Sequence, residues 1–283
     1  MDIVDSQIHL FLTMNADAAI AAMNSIGIQA ALIDEFWGYE GDSHDPPPGY
    51  AIPGGVFRPI APGAIMASMK HPDRFSWLLR VDPRDPDLDS LMRQVKVSPE
   101  GRALRLEARS EQEVRSFAAG DCMVFFHAAQ KHDLPVFILS PGNSALLEPY
   151  VRDCPDLRVV IDHCGLPREV DEYDQVLALA KYPNVFLKWC HAPRVFRAPK
   201  YPFPEVMPYL ARSLDAFGRE RIMWGSDFTA IRTGHTWADT LFYLRDNAGL
   251  SEGDKEWLLG RTIRTVSDWP APAQLTQPAL HRH

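Results

Sequence analysis

Four segments of this chain run from apolar residues into a histidine or an aspartate. They are Ile3-Val-Asp-Ser-Gln-Ile-His9, Arg158-Val-Val-Ile-Asp-His163, Asn184-Val-Phe-Leu-Lys-Trp-Cys-His191 and Arg221-Ile-Met-Trp-Gly-Ser-Asp227. A carboxylate such as Asp227 can take a proton from water. Imidazoles and the Gln7 amide can hydrogen-bond to an oxygen that is gaining negative charge. Taken singly, each has a plain alternative: a histidine at a strand end can be a satisfied polar contact, and Gly-Ser-Asp can cap a helix. Their recurrence at equivalent places favours a shared site.

If each segment is a strand, alternate side chains share a face. Asp5, Gln7 and His9 then fall together, as do Met223, Gly225 and Asp227. His163 aligns with Ile161, which leaves Asp162 on the other face. Leu187, Trp189 and His191 share a face, with Lys188 and Cys190 opposite unless a bulge reverses the order. Pointed inward, His9, His163, Asp227 and Gln7 would converge on one small volume.

The elements that must position these residues form a regular series. Strand-like runs at 3–9, 28–36, 75–81, 103–107, 136–140, 159–163, 185–191 and 222–227 are mostly continuous apolar stretches, as in strands buried on both faces. Amphipathic segments at 17–26, 88–97, 111–132, 146–153, 172–180 and 205–217 lie between them. The pattern is that of an α/β protein, a (β/α)8 or TIM barrel, whose chemistry gathers at the carboxyl rim. One domain is expected over residues 1–268, followed by a Pro-rich tail at 269–283. A long Pro- and Gly-rich loop at 38–66 follows the second strand, and its Tyr39, Tyr50, Phe57 and Arg58 suggest an ordered cover over the rim.

Composition excludes several classes. A net charge of -8 disfavours nucleic acid and anionic membrane as partners. No uncharged apolar run approaches the roughly 18 residues of a membrane span. The first strand begins so early that a secretory signal is not expected, which points to the cytoplasm. Cys122, Cys154, Cys164 and Cys190 form no C-x-x-C pair and read as buried, reduced thiols. There is no G-x-S-x-G, G-x-G-x-x-G or Walker loop. His127 and His132 lie in a helical stretch away from the site. The expected partner is a small molecule, and a homodimer is compatible with the sequence.

Asp5-Ser-Gln-Ile-His9, Val160-Ile-Asp-His-Cys-Gly165 and Trp224-Gly-Ser-Asp227 resemble motifs of the amidohydrolase superfamily. They are most similar to the branch containing 2-pyrone-4,6-dicarboxylate lactonase and sugar lactonases, and the likeness extends over residues 2–267. The resemblance implies that Gln7 and His9 occupy the places of a first-strand His-x-His pair. His163 matches the sixth-strand histidine and Asp227 the eighth-strand aspartate. Leu139 stands where metal-binding members carry a ligand. A catalytic zinc takes about three protein ligands, and the changes at Gln7 and Leu139 leave the set short.

The resemblance therefore implies a hydrolase that opens a lactone or similar activated ester without a cofactor. Asp227 would be the base, with His9, His163 and Gln7 around the carbonyl oxygen. Arg105, Trp189, His191 and Arg194 are candidate substrate-binding residues. One alternative is a metal-dependent hydrolase or non-oxidative decarboxylase with a zinc ion at His9 and Asp227. Another is a binding barrel that has lost catalysis.

Overall fold

The computed structural model describes residues 1–10, 14–36, 48–228 and 235–271. Eight parallel strands form one sheet: β1 (Val4–Ile8), β2 (Ala30–Asp34), β5 (Phe75–Arg80), β6 (Gly101–Glu107), β7 (Val136–Leu139), β8 (Val159–Ile161), β9 (Val185–Trp189) and β10 (Ile222–Trp224). The two ends meet just beyond β10. There Ile8 bridges Phe228, His9 N donates to Phe228 O at 2.9 Å, and Asp227 N donates to Gln7 O at 3.0 Å. The sheet thus closes into a (β/α)8 barrel, as the series of apolar runs predicts.

Alternation divides each strand between two apolar layers. Val4, Leu32, Leu78, Ala103, Phe137, Val160 and Met223 cluster inside the barrel, while Ile33, Trp77, Leu104, Ile138, Ile161, Leu187 and Trp224 pack outward on the helices. Ile263, Val266 and Trp269 join the inner cluster. Trp269, assigned to the tail by sequence, is therefore buried as part of the barrel, and residues 272–283 lie outside the described residues.

Two expectations about the connections change. The helical stretch at 111–132 is two helices, Glu111–Ala119 and Met123–Lys131, separated where Gly120 adopts φ 88° and ends the first. The cover after the second strand contains an antiparallel hairpin, β3 (Gly49–Ile52) and β4 (Val56–Pro59), followed by the helix Pro62–Lys70. Tyr39 and the rest of 38–47 lie outside the described residues. Arg58 fastens the hairpin to the loop after β5, its Nε 2.7 Å from Asp85 and its Nη2 2.7 Å from Asp87. The hairpin, through Gly55 at its turn and Phe57 and Pro59 on β4, forms one wall of a cleft of about 490 Å³ at the rim of β5 and β6.

Candidate active site

Asp227 follows β10 in the left-handed backbone region, at φ 56°. Aspartate tolerates that region better than most residues, and such conformations concentrate at functional sites. Asp5 braces the turn from behind. Its carboxylate accepts from Ser226 N at 2.9 Å, Ser226 Oγ at 2.5 Å and Trp237 Nε1 at 2.8 Å. Burial pushes the Asp5 carboxyl up to about 6, against the lowering by these donors. A register shift between Asp5 and Ile8 explains how Asp5 can brace from outside while Gln7 and His9 point inward. Simple alternation had placed all three on one face.

Three imidazoles surround the Asp227 carboxylate. His9 Nε2 lies 2.7 Å from Oδ1, His191 Nε2 lies 2.7 Å from Oδ2, and His163 Nε2 lies 3.9 Å from Oδ2. Burial alone would raise the Asp227 carboxyl. His9 and His163, with hydrogen bonds from His191 and His9, outweigh it and hold the group well below the usual carboxylate range. The carboxylate is thus ionised and buried from solvent.

Burial lowers the His163 pKa well below the usual value, aided by His191 and Lys188 and opposed by Asp227 and Asp162. Arg105 Nη2, which can only donate, sits 3.4 Å from His163 Nε2. That contact favours a proton on Nδ1, a buried atom with no hydrogen-bond partner among the described residues.

Behind these groups runs a chain of charges, buried except for the half-buried Glu107 at its outer end. Glu107 accepts from Arg80 Nη1 at 2.5 Å. Arg80 grips Asp34 through Nε and Nη2, both at 2.7 Å. Arg105 bonds the same Asp34 and lies 3.0 Å from Asp162. Lys188 Nζ lies 2.5 Å from Asp162 and donates to Gln7 Oε1 at 2.5 Å, and Gln7 Nε2 donates to Asp227 Oδ1 at 2.7 Å. Burial would raise Asp34 and Asp162, but Arg105 with Arg80 at the first, and Lys188 with Arg105 at the second, bring both below the usual range.

The structure thus brings Gln7, His9, His163, His191 and Asp227 together, with Arg105 against His163. Gln7 is present, but its nitrogen is bonded to Asp227 and lies 3.4 Å from Asp34. Arg194 is exposed on the short helix Ala192–Val195, beside a cavity of about 20 Å³ behind His191. Trp189 is a correction: it faces outward, fully buried among helices, and donates from Nε1 to Tyr243 OH at 2.9 Å.

The parity assigned to the sixth and seventh strands is also reversed. Ile161 and Leu187 point outward, whereas Asp162 and Lys188 point inward. His163 and His191 reach the site from left-handed turns, at φ 51° and 53°, after the strands have ended. Asp34, Arg80, Asp162 and Lys188 are the participants that sequence reasoning missed or set aside. The signal was there in Lys188 and Asp162, charges inside apolar runs that demand buried partners. The four cysteines are buried free thiols, as expected, and burial raises the Cys164 and Cys190 thiols, which disfavours them as nucleophiles.

The donors at His9 and Asp227 do not fit a zinc ion. The Gln7 amide nitrogen, a hydrogen donor with no lone pair to offer, stands 2.7 Å from the Asp227 oxygen and 3.2 Å from His9 Nε2. The buried carboxylates already have Arg80, Arg105 and Lys188 as counter-charges. His163, Cys190 and His191 offer ligand atoms within 4.8 Å of one another. In that trio Cys190 is a buried thiol, and His191 Nε2 is already 2.7 Å from Asp227 Oδ2.

Residues 64–266 match the amidohydrolase family, and the chain belongs to it. An L-fucono-1,5-lactonase from Burkholderia ambifaria is 33% identical over 115 residues, a stretch spanning 37% of this chain and 38% of that protein. Among solved structures, an amidohydrolase from Burkholderia multivorans with bound HEPES superposes with a TM-score of 0.75 at 17% identity, covering 95% of this chain and all of the other. A second crystal form of that target has bound zinc. A probable 2-pyrone-4,6-dicarboxylic acid hydrolase from Acinetobacter baumannii, with citric acid bound, gives a TM-score of 0.69 at 14% identity over 95% of this chain and all of that one. At these identities the solved structures speak for the fold alone. Among the described residues, no helix is long and apolar enough to cross a membrane.

Proposed function

We propose that the protein is a hydrolase that opens a small, hydroxylated lactone or similar activated ester by metal-independent attack of water. The observation that carries this reading is the ionised Asp227 held between His9 and His191, with the Gln7 amide bonded to the same carboxylate. Oδ1 accepts two hydrogen bonds and Oδ2 accepts one, which leaves a lone pair on Oδ2 for an attacking water. That water gives its proton to Asp227 as it adds to the lactone carbonyl. The free Nδ1–H of His163 donates to the oxygen as it becomes an oxyanion. Collapse of the tetrahedral species breaks the ring C–O bond, and the proton on Asp227 passes to the departing oxygen. A lactone has a far better leaving group than an amide, so one base and one donor suffice.

The cleft supports hydroxyl groups over several carboxylates on the substrate. Its arginines are already paired: Arg80 with Asp34 and Glu107, Arg84 with Asp82, and Arg105 with Asp34 and Asp162. Glu113, Asp121, Gln112 and Ser116 line the same cleft and suit hydroxyl partners. The partial likeness to a fucono-lactonase agrees with this preference.

The test is a panel of sugar lactones and carboxylated pyrones assayed with chelator-treated protein, alongside metal analysis of protein purified without added metal. Turnover of hydroxylated lactones by metal-free protein is expected. Activity that disappears with the metal and returns on adding zinc would replace this reading with the metal-dependent hydrolase or decarboxylase.

A further inference from the structure

Lys188 is fully buried, with its ammonium 2.5 Å from both Gln7 Oε1 and Asp162 Oδ1 and 4.6 Å from the centre of the Phe137 ring. Gly225 leaves room for its stem: a Cβ there would lie 3.3 Å from Lys188 Cδ and 2.6 Å from Ser6 Oγ. A primary amide has two nearly isosteric ends, and rotating Gln7 by half a turn would exchange donor and acceptor. An ammonium has hydrogens only to give, so the end of Gln7 that it touches must be oxygen. The nitrogen then faces Asp227, where it meets a carboxylate oxygen at 2.7 Å. In the opposite orientation two oxygens would face each other at that distance.

We infer that Lys188 is a positioning residue: it sets the direction of the Gln7 amide and, through Gln7, holds the Asp227 carboxylate in its working orientation. The groups around this relay are Asp162 from the end of β8, Arg105 from β6, Asp34 from β2, and His9, His163 and His191 against Asp227. Lys188 itself lies below the carboxylate and touches no reacting atom. The kinetic part of this inference rests on Asp227 acting as the base; the orientation of the amide does not.

Two measurements test it. In the kinetic one, Lys188→Met lowers kcat on the order of 10²-fold, as a small misplacement of reacting groups can, while KM stays within about twofold. In a Gln7→Met background the same substitution has less than about threefold further effect, because the relay is already cut. An equal loss in both backgrounds would show that Lys188 matters only for structure and would overturn the inference. In case Lys188→Met leaves Asp162 too poorly paired to fold, Lys188→Met with Asp162→Asn removes both charges together, and the cycle is run on that pair.

The second measurement needs no substrate. The Gln7 side-chain NH2 signal, assigned by its loss in Gln7→Met, should shift in the amide NMR spectrum of both Asp227→Asn and Lys188→Met. A signal unchanged in Lys188→Met would overturn the inference. If the wild type opens no lactone, the proposed reaction fails while this measurement still decides the orientation.

Discussion

The two sides of the barrel mouth use similar residues to opposite ends. On the β5 and β6 side, Arg80 and Arg105 are almost wholly committed to Asp34, Glu107 and Asp162, so the charges neutralise one another. On the side formed by β1 and the ends of β8, β9 and β10, Asp227 is ringed by imidazoles but keeps a lone pair. His163 keeps a donor with no partner. Both sides are buried and polar, so burial does not distinguish them. The difference lies in charge balance: Arg105 Nε also lacks a hydrogen-bond partner among the described residues, but its guanidinium is held between two carboxylates. A charge-balanced network supports the fold, whereas a carboxylate with a lone pair to spare can bond to something that arrives.

The sharpest way to break this contrast is at Asp227. Asp227→Asn should lower kcat by at least ~10³-fold, within the range of losing a general base, with ligand affinity by calorimetry largely retained. Near-normal turnover would remove Asp227 from the base role. On the charge-balanced side the expected effect is on stability. Arg105→Met removes one of the two cationic partners of both Asp34 and Asp162, leaving Arg80 and Lys188, and breaking a buried pair costs about 3–5 kcal/mol, which urea unfolding would measure. A loss below ~1 kcal/mol would mean that the arginine is not what balances those carboxylates.

Asp5 gives a smaller, pH-dependent effect behind the reactive side. Its carboxyl is raised from 3.8 to about 6 in the folded protein. The folded state therefore keeps this proton where the unfolded chain has lost it. The stabilisation is complete below pH 3.8 and fades as pH rises through about 6. A difference of that size is worth about 3 kcal/mol. Relative to Asp5→Asn, the wild type should lose roughly that much stability between pH 4 and 7, as read from urea unfolding midpoints. Parallel pH dependences in the two proteins would show that Asp5 does not titrate in this window.

Much of this was legible in the sequence. Buried parallel strands must be continuously apolar, so the eight runs and the helices between them announce the barrel. The hydrogen-bonding residues at their carboxyl ends, His9, His163, His191 and Asp227, are visible because apolar runs rarely end on them without cause. Parity was less legible. Alternation holds only while the backbone stays extended, and β8 ends at Ile161, β9 at Trp189 and β10 at Trp224. Beyond those points left-handed turns aim His163, His191 and Asp227 inward. For that reason Trp189, two residues before His191, lies outside the site, while Lys188 and Asp162 lie inside the barrel.

By itself, then, the order of residues determined the architecture and which side chains sit at the rim, because both follow from local hydrophobic pattern. Only the folded chain decided which of those side chains spend their hydrogen bonds on one another. Pairings such as Gln7 with Lys188 and with Asp227 join residues about 180 and 220 positions apart, a coincidence in space that no local periodicity encodes.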